Sequence, residues 1–520
     1  MGRTPSATLQ RIGDGSGARF SHAIGVIDVG SNTSRLVVFD ASSSCAIRPI
    51  FETKEVPRLG AGLPPDGRLT SEASARGVAA MERFARTLEY LGVSKTLAVT
   101  TSAVRDAPNA GEFIAAVQRA TGILLRVLSG SEEARYGYLG VASAWELADD
   151  LICDLGGGSL QLVHTRKGEV ANSVSLPLGV LRVTQRHIGH DPPKGREVEE
   201  LREYVRDTIQ TTIEAFGGAH RRLFAIGGTV RSAARAAIAL RDYPVRRVHG
   251  FPIRAHDLDA LMDLMVEMPS PKRRAIPGIG SDRSDVIVAG LVVLEEVLRA
   301  SGAPEIVVTG TGIRDGLALE MIGAHLPASA IELASRSVTA ASERFSFSLA
   351  RGRAVADLAG QLFDLLAEGQ NWGPSERLAL TTAAWMHDAG TSIDLWRHAY
   401  HSAYLIQNYP IYGLEQHETL LAASIVAQHA GDDLPSGWRR GLAPVLRPSD
   451  ASTARRLGAV LQICGLLAVA EPRFSLAPGG RTLGVTFSTP TSTTLPPRTV
   501  EKARKPIERE FDVEVRIKDG

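Results

Sequence analysis

The chain has 520 residues, 44% hydrophobic and 22% charged, enough for roughly three or four domains with several buried cores. Lys and Arg number 58 against 57 Asp and Glu, a net charge of +1. That excludes a global positive field for nucleic acid or membrane, so any polyanion has to be held by a local basic site. Cys45, Cys153 and Cys464 form neither a close pair nor a metal-ligand spacing, which excludes a disulfide scaffold and favours a reducing compartment.

Residues 1–21 are rich in Gly, Ser and Arg and read as a disordered tail without the apolar core of a secretory signal. Met1-Gly2-Arg3-Thr4-Pro5-Ser6 matches a myristoylation pattern, but so short a pattern matches often by accident. The longest apolar run, residues 286–294, is too short to span a bilayer. A cytoplasmic protein with no membrane partner is expected.

Ile24-Gly25-Val26-Ile27-Asp28-Val29 reads as a buried strand, Gly30-Ser31-Asn32-Thr33-Ser34 as a turn and Leu36-Val37-Val38-Phe39-Asp40 as the return strand. A loop over 57–67 follows, then a helix over 70–91 capped by Thr70 or Ser71, a strand at 97–100 and a helix at 111–120. A strand at 124–128 leads into a helix over 132–147. The grammar then restarts: strand Leu151-Ile152-Cys153-Asp154, turn Leu155-Gly156-Gly157-Gly158-Ser159, return strand Leu160-Gln161-Leu162-Val163. Asp28 and Asp154, each just before a Gly/Ser turn, lie 126 residues apart, a repeat of supersecondary structure rather than of residue identity. Strands at 223–226 and 306–309 run into Gly227-Gly228-Thr229 and Gly310-Thr311-Gly312, each followed by a helix. From about residue 330 the pattern is amphipathic helices, to 426 and again over 454–470. A strand (482–487), a Ser/Thr/Pro loop (488–498), a helix (500–511) and a strand (513–517) close the chain. This predicts an α/β fold: tail 1–21, lobes 22–150 and 151–328, an all-α domain 329–475 and a small α+β domain 476–520.

Three consecutive glycines after Asp154 let backbone N–H groups converge on one point, which suits a phosphate, and the carboxylate at the head of the turn can hold Mg²⁺ against it. Alone, the stretch fits an ordinary Gly-rich hairpin equally well. Asp28-Val-Gly-Ser-Asn-Thr33 offers the same parts, with donors on Ser31, Asn32 and Thr33. Two facing hairpins of this kind resemble the phosphate grip of the actin/sugar-kinase/heat-shock ATPase superfamily, and Gly228 and Thr229 stand at a suitable turn of the second lobe. Arg105, in Thr101-Ser-Ala-Val-Arg-Asp106, follows a strand, where ligands of α/β folds collect; a salt bridge with Asp106 is the plainer account. In Ser129-Gly-Ser-Glu132-Glu133-Ala-Arg135 the glutamates equally suit a first helical turn, where they complement the dipole.

Taken together and in order over about residues 22–325, these stretches resemble the exopolyphosphatase/guanosine pentaphosphate phosphohydrolase family, in the long form with a helical extension. The resemblance also runs through Arg58-Leu-Gly-Ala-Gly-Leu63, Leu176-Pro-Leu-Gly-Val180, Ile226-Gly-Gly-Thr229, Arg283-Ser-Asp285 and Gly312-Ile-Arg-Asp-Gly316. It implies two ribonuclease-H-like lobes, with Glu133 preparing a water for attack on a terminal phosphorus and Arg105 neutralising the transferring phosphoryl group. It implies Asp154 as holder of Mg²⁺ or another divalent cation, with Asp28 as helper. Ser31, Asn32, Thr33, Gly157, Gly158 and Ser159 would cradle phosphate oxygens. The family has a glutamate where this chain has Gln161; the amide keeps a carbonyl oxygen as a metal ligand but loses the charge, so weaker metal binding is expected.

Met386-His387-Asp388-Ala389-Gly390 resembles an HD phosphohydrolase core. Aligned helices place Arg351 and Gly465 where the partner His and Asp belong, so the domain is expected to be structural, metal-free and polyanion-binding. His398, His401 and Arg397 read as surface residues that can touch phosphates. Arg439-Arg440, Arg455-Arg456 and Lys272-Arg273-Arg274 read as solvated faces, one of which can line a channel. The resemblance implies an exopolyphosphatase acting on inorganic polyphosphate, or the same chemistry on guanosine pentaphosphate (pppGpp, giving ppGpp), in a homodimer without nucleic acid. Gln161 motivates a third reading, a weakly catalytic regulator that binds either ligand. Ser129-Gly-Ser-Glu-Glu-Ala-Arg135 argues against a sugar kinase or chaperone.

Overall fold

The computed structural model describes residues 22–42, 47–63, 66–217, 220–430, 445–477, 480–487 and 496–519. The tail 1–21, Cys45, Arg439-Arg440 and most of the loop 488–498 lie outside them. The chain divides into two compact units, Met1–Asp242 with Arg246–Pro327, and Tyr243–Val245 with Ala328–Gly520.

The first unit opens with hairpin β1 (Ala23–Val29) and β2 (Ser34–Asp40), followed by β3 (Arg48–Glu55), α1 (Ser71–Leu91), β4 (Lys95–Thr100), the one-turn α2 (Ser102–Arg105), α3 (Ala110–Thr121), β5 (Leu125–Val127) and α4 (Gly130–Ala142). The sheet runs β3-β2-β1-β4-β5. β1 is buried on both faces because its apolar residues alternate between two cores. Ile27 and Val29 join Leu36, Val38, Met81 and Phe84 on one side, and Ile24 and Val26 join Val37, Phe39, Val99 and Tyr136 on the other. Thr70 caps α1, its hydroxyl accepting from the Ala73 amide at 3.1 Å.

The second lobe repeats this plan. β6 (Leu151–Leu155), β7 (Leu160–Arg166) and β8 (Glu169–Leu176) form an antiparallel meander like β1-β2-β3, followed by α5 (Val180–His187) and α6 (Gly195–Ala215). Next come β9 (Leu223–Ile226), α7 (Gly228–Leu240), β10 (Pro252–Ile253), α8 (Ala255–Met265), α9 (Ser270–Arg273), α10 (Ile287–Ser301), β11 (Ile306–Val308) and α11 (Ile313–Ile322). The order is β10-β11-β9-β6-β7-β8, with β9 and β11 parallel to β6 as β4 and β5 are to β1. The two actin-like lobes expected from the repeat are therefore present. The edge strands β3 and β8 are additions to the expected elements. Their mixed charged and apolar residues and half-exposed faces carry too little burial to announce themselves. The last helix departs from the expected lobe boundary: Leu317 and Ala318 of α11 share the core of Ile24, Val26 and Tyr136 in the first lobe.

The second unit holds α12 (Ala330–Phe345), α13 (Leu349–Leu366), α14 (Pro374–Met386), α15 (His398–Asn408), α16 (Gln416–His429) and α17 (Asp450–Leu467). A small sheet of β12 (Arg473–Leu476), β13 (Thr482–Phe487) and β14 (Glu514–Asp519), with α18 (Pro497–Phe511) before its last strand, completes it. The expected helical domain and α+β cap share one core, running from Ala334 and Val338 through Leu461 to Leu483, Val485, Ile507 and Val515. Residues 450–470 are long and apolar enough to cross a bilayer, yet Leu457, Val460, Leu461 and Ile463 are buried in that core.

Candidate active site

The two Asp-bearing hairpins are built alike. In each, the first turn glycine donates to a carbonyl three residues on, Gly30 N to Thr33 O at 3.2 Å and Gly156 N to Ser159 O at 3.0 Å. Strand register sets Asp28 opposite Arg35 and Asp154 opposite Gln161, so Arg35 is the first lobe's counterpart of Gln161. The turns meet face to face. A Cβ on Gly157 would stand 3.0 Å from Ser31 Cβ, and one on Gly158 would stand 2.3 Å from Ser102 Oγ, so only glycine lets the second loop approach the first. Ser31 and Ser102 are joined by their hydroxyls at 3.0 Å, and Asn32 Nδ2 donates to the Asp282 carbonyl at 2.9 Å.

Between the turns lies a cavity of about 110 Å³, lined by Asp28, Ser31, Asn32, Thr33, Glu133, Asp154, Gly157, Ser159, Gln161 and Gly228. Four arginines also line it: Arg35, Arg231, Arg283 and Arg314. Sequence reading assigned none of them a role. Arg35 had a signal in its register with Asp28, and Arg231 in standing two residues after Thr229. Arg283 and Arg314 lay in matched stretches, but nothing local says that four distant segments converge.

α4 separates the roles of its two glutamates. Ser129 and Glu132 form a capping box, with Glu132 Oε2 accepting the Ser129 amide at 2.8 Å, and Glu132 also pairs with Arg126. Glu132 thus satisfies the helix-terminus account. Glu133, about 100° further round the helix, points inward and is 4% exposed. Its Oε1 accepts from Arg105 Nη1; its Oε2 accepts from Gln161 Nε2 at 3.2 Å and Ser159 Oγ at 3.4 Å. Burial pushes the Glu133 carboxyl up to about 7, Arg105 opposing and Asp154 and Asp28 reinforcing. Arg105 also donates to the Leu128 carbonyl at 3.0 Å and to Asp106 at 3.3 Å. Both accounts of Arg105 hold: it makes the neighbouring salt bridge and reaches the buried glutamate.

Burial and the neighbouring Asp28 push Asp154 up to about 6. Burial also raises Asp28, against Arg314 at 3.3 Å. Two buried carboxyls facing one cavity, Asp28 raising Asp154, fit a divalent cation, and Mg²⁺ is commonly held by one or two carboxylates plus phosphate oxygens. Among the described residues no group of three His, Cys, Asp or Glu side chains is placed to hold a metal. Gln161, 2% exposed, commits its amide nitrogen to Glu133, to Ser159 Oγ at 2.9 Å and to Ser175 Oγ at 3.0 Å. It is a hydrogen-bond donor to the glutamate as well as a neighbour of Asp154.

Two expected phosphate-binding positions differ from expectation. Thr229 is fully buried, its hydroxyl 3.5 Å from Arg283 Nη1 and its methyl directed at Gly290, so it packs α7 on α10 instead of facing the cavity. Gly158 serves the contact between the loops and does not line the cavity. Gly228 does line it, and a Cβ there would strike the Arg283 guanidinium at 2.3 Å.

In the second unit the four HD-like positions converge. Arg351 Nε donates to Asp388 Oδ2 at 2.7 Å and its Nη2 to the Gly465 carbonyl at 3.3 Å. His387 Nε2 stands 3.3 Å from Asp388 Oδ2 and 3.8 Å from where a Gly465 Cβ would be. A guanidinium thus occupies the centre of the cluster. His398 Nε2 is 4.0 Å from Asp388 Oδ1. In the first unit, Arg273 is not on a solvated face: it is 2% exposed and donates to the Met265 and Ser284 carbonyls, both at 3.0 Å.

A model of the Ppx/GppA phosphatase family matches residues 37–325, and one of Ppx/GppA phosphatase domain III matches residues 333–435. The Mycobacterium tuberculosis protein named exopolyphosphatase 1 is 31% identical over 317 residues, 59% of this chain and 90% of its own. Its Mycobacterium leprae namesake is 31% identical over 314 residues, covering 59% and 92%. Among solved structures, an exopolyphosphatase from Cytophaga hutchinsonii aligns with TM-score 0.55 and 26% identity over 58% of this chain and 99% of its own. A Ppx/GppA family member from Aquifex aeolicus aligns with TM-score 0.50 and 25% identity over 58% and 97%.

Proposed function

Because the chain belongs to the Ppx/GppA phosphatase family, we propose that it is an exopolyphosphatase, hydrolysing the terminal phosphoanhydride of inorganic polyphosphate to release orthophosphate. The observation that carries this reading is Glu133, a carboxyl buried between two phosphate-type turns and raised to about 7. That is close to the pH at which a base both accepts a proton and is free to do so. Phosphoryl transfer asks for positioning and electrostatic stabilisation, with no nucleophilic side chain.

In the proposed reaction a water oxygen forms a bond to the terminal phosphorus while the bridging P–O bond breaks. The water's proton passes to a Glu133 oxygen, and the bridging oxygen leaves on the shortened chain. Gln161 and Ser159 hold Glu133 Oε2 toward the cavity. Arg105, paired with Glu133, would exchange that contact for the equatorial oxygens of the transferring group. The Gly156–Ser159 and Gly30–Thr33 turns supply amide and hydroxyl donors. Asp28 and Asp154 would hold Mg²⁺, which supplies charge neutralisation for the phosphate oxygens.

Guanosine pentaphosphate offers the same terminal anhydride, but the described residues lining the cavity include no aromatic ring for a base. Phosphate release from purified protein, with polyphosphate, guanosine pentaphosphate and ATP in parallel and with and without Mg²⁺, tests the reading. No release from polyphosphate under any condition would end it. The homodimer implied by the family is also proposed, and light scattering tests it.

A further inference from the structure

The loop of the second lobe that leads into α10 grips the first lobe at three points. The Asp282 carbonyl accepts from Asn32 Nδ2 at 2.9 Å, and the Asp282 carboxylate pairs with Lys54 at 3.0 Å. Asp285 takes both terminal nitrogens of Arg58, at 2.7 Å and 3.0 Å. Between these two aspartates Arg283 turns the other way: it is 6% exposed and lines the catalytic cavity. Neither Arg58 nor Asp285 is among the described residues lining that cavity.

On the other side of the fork, Arg58 holds up the first phosphate turn from behind. Its φ is +52°, a left-handed backbone that a residue with a Cβ keeps only where its surroundings hold it. In that conformation its own amide donates to the Asn32 carbonyl at 3.1 Å, and the Gly60 amide donates to the Ser31 carbonyl at 2.8 Å. A Cβ on Gly60 would stand 3.0 Å from Ser31 Cβ, so the loop lies directly against the turn. Gln185 of α5 adds a further link between the lobes, donating to the Gly60 carbonyl at 3.2 Å. One ion pair therefore connects the backing of the Ser31–Asn32 turn to the loop that carries Arg283.

The Arg58–Asp285 side chains are each about one third exposed, and a surface pair of that kind adds little to stability. What a two-bonded fork adds is direction as well as distance, and phosphoryl transfer depends on the placing of its donors. We propose that Arg58 and Asp285 are positioning residues: their fork fixes the spacing between the Ser31–Asn32 turn and Arg283, on opposite lobes, without either touching substrate. This assignment rests on the exopolyphosphatase reading and deepens it.

The test compares the wild-type protein with Arg58→Lys, which keeps the charge and loses the fork, with Asp285→Asn, and with the double variant. Each single variant should lower kcat on polyphosphate about tenfold, with KM within about threefold of wild type and a melting temperature within about 2 °C. The double variant should be no worse than the worse single one, because both remove the same contact. Unchanged kcat, a loss confined to KM, losses that multiply in the double variant, or a fall in melting temperature that tracks the loss of kcat overturns the proposal. Hydrogen exchange gives an answer independent of turnover. Arg58→Lys should speed exchange about tenfold at the amides of positions 58 and 60, which bond to the turn, while β1 and β4 stay protected. Unchanged exchange there also overturns the proposal. A wild-type protein that shows this exchange response and releases no phosphate would instead overturn the exopolyphosphatase reading and leave the fork as the anchor of the turn.

Discussion

The cleft of the first unit and the His–Asp cluster of the second both bury ionisable groups, and they meet the cost of burial to different extents. In the cleft some charge is paired, Glu133 with Arg105, Asp28 with Arg314 and Arg35 with Glu52, but like charges are also gathered: Asp154 beside Asp28, and Arg231 beside Arg35 and Arg314. In the helical unit the opposite charges are already matched. Arg351 neutralises Asp388 at 2.7 Å, and burial pushes the His387 and His429 imidazoles down, His429 to about 4. The second cluster carries the more familiar enzymatic signature, His387-Asp388, yet its charge is settled internally. The first leaves Asp154 and Arg231 without an ion-pair partner among the described residues, charge that a ligand can complement.

The contrast breaks most readily at Glu133. Glu133→Gln should lower phosphate release about a thousandfold while polyphosphate still binds; unchanged turnover would remove Glu133 from the chemistry. Arg105→Met should cost about a hundredfold, measured as kcat at saturating polyphosphate, and a loss seen only in KM would make Arg105 a binding group instead. Gln161→Glu adds a carboxylate beside Asp154 and should lower the half-saturating Mg²⁺ concentration about tenfold; an unchanged Mg²⁺ dependence would show that position 161 serves Glu133 alone.

Linkage supplies a test without turnover. Asp154 and Glu133, raised to about 6 and about 7, hold protons in the folded protein that they release when it unfolds. Metal-free stability therefore falls as pH rises from about 4 to about 7. Mg²⁺ should accordingly raise the melting temperature more at pH 8, above the raised Asp154 value of about 6, than at pH 5. Equal shifts at the two pH values would remove the Asp28–Asp154 pair as the cation site. The smallest effects are expected in the helical cluster. Arg351→Ala should cost about 1 kcal/mol or less, because the pair is partly exposed. It and His387→Ala should leave phosphate release within about twofold. A large loss in folded protein would mean the second cluster takes part in the reaction.

Much of this was legible in the chain, and the boundary of legibility has a physical cause. Asp28 and Asp154 ahead of glycine turns, the paired hairpins, a cap at Thr70 or Ser71 and a helix after Ser129-Gly130 follow from contacts a few residues long, which sequence order determines. Edge strands β3 and β8 escaped because half-exposed strands lack a clean apolar alternation. The tertiary structure alone decided which of two adjacent glutamates faces the cleft. It also decided that Thr229 packs a helix while Arg35, Arg231, Arg283 and Arg314 line the cavity between the turns, that Gln161 donates to Glu133, and that Arg351 sits on Asp388. Each of these is a matter of desolvation and charge matching among residues far apart in the chain, and such balances exist only once folding has brought the groups together.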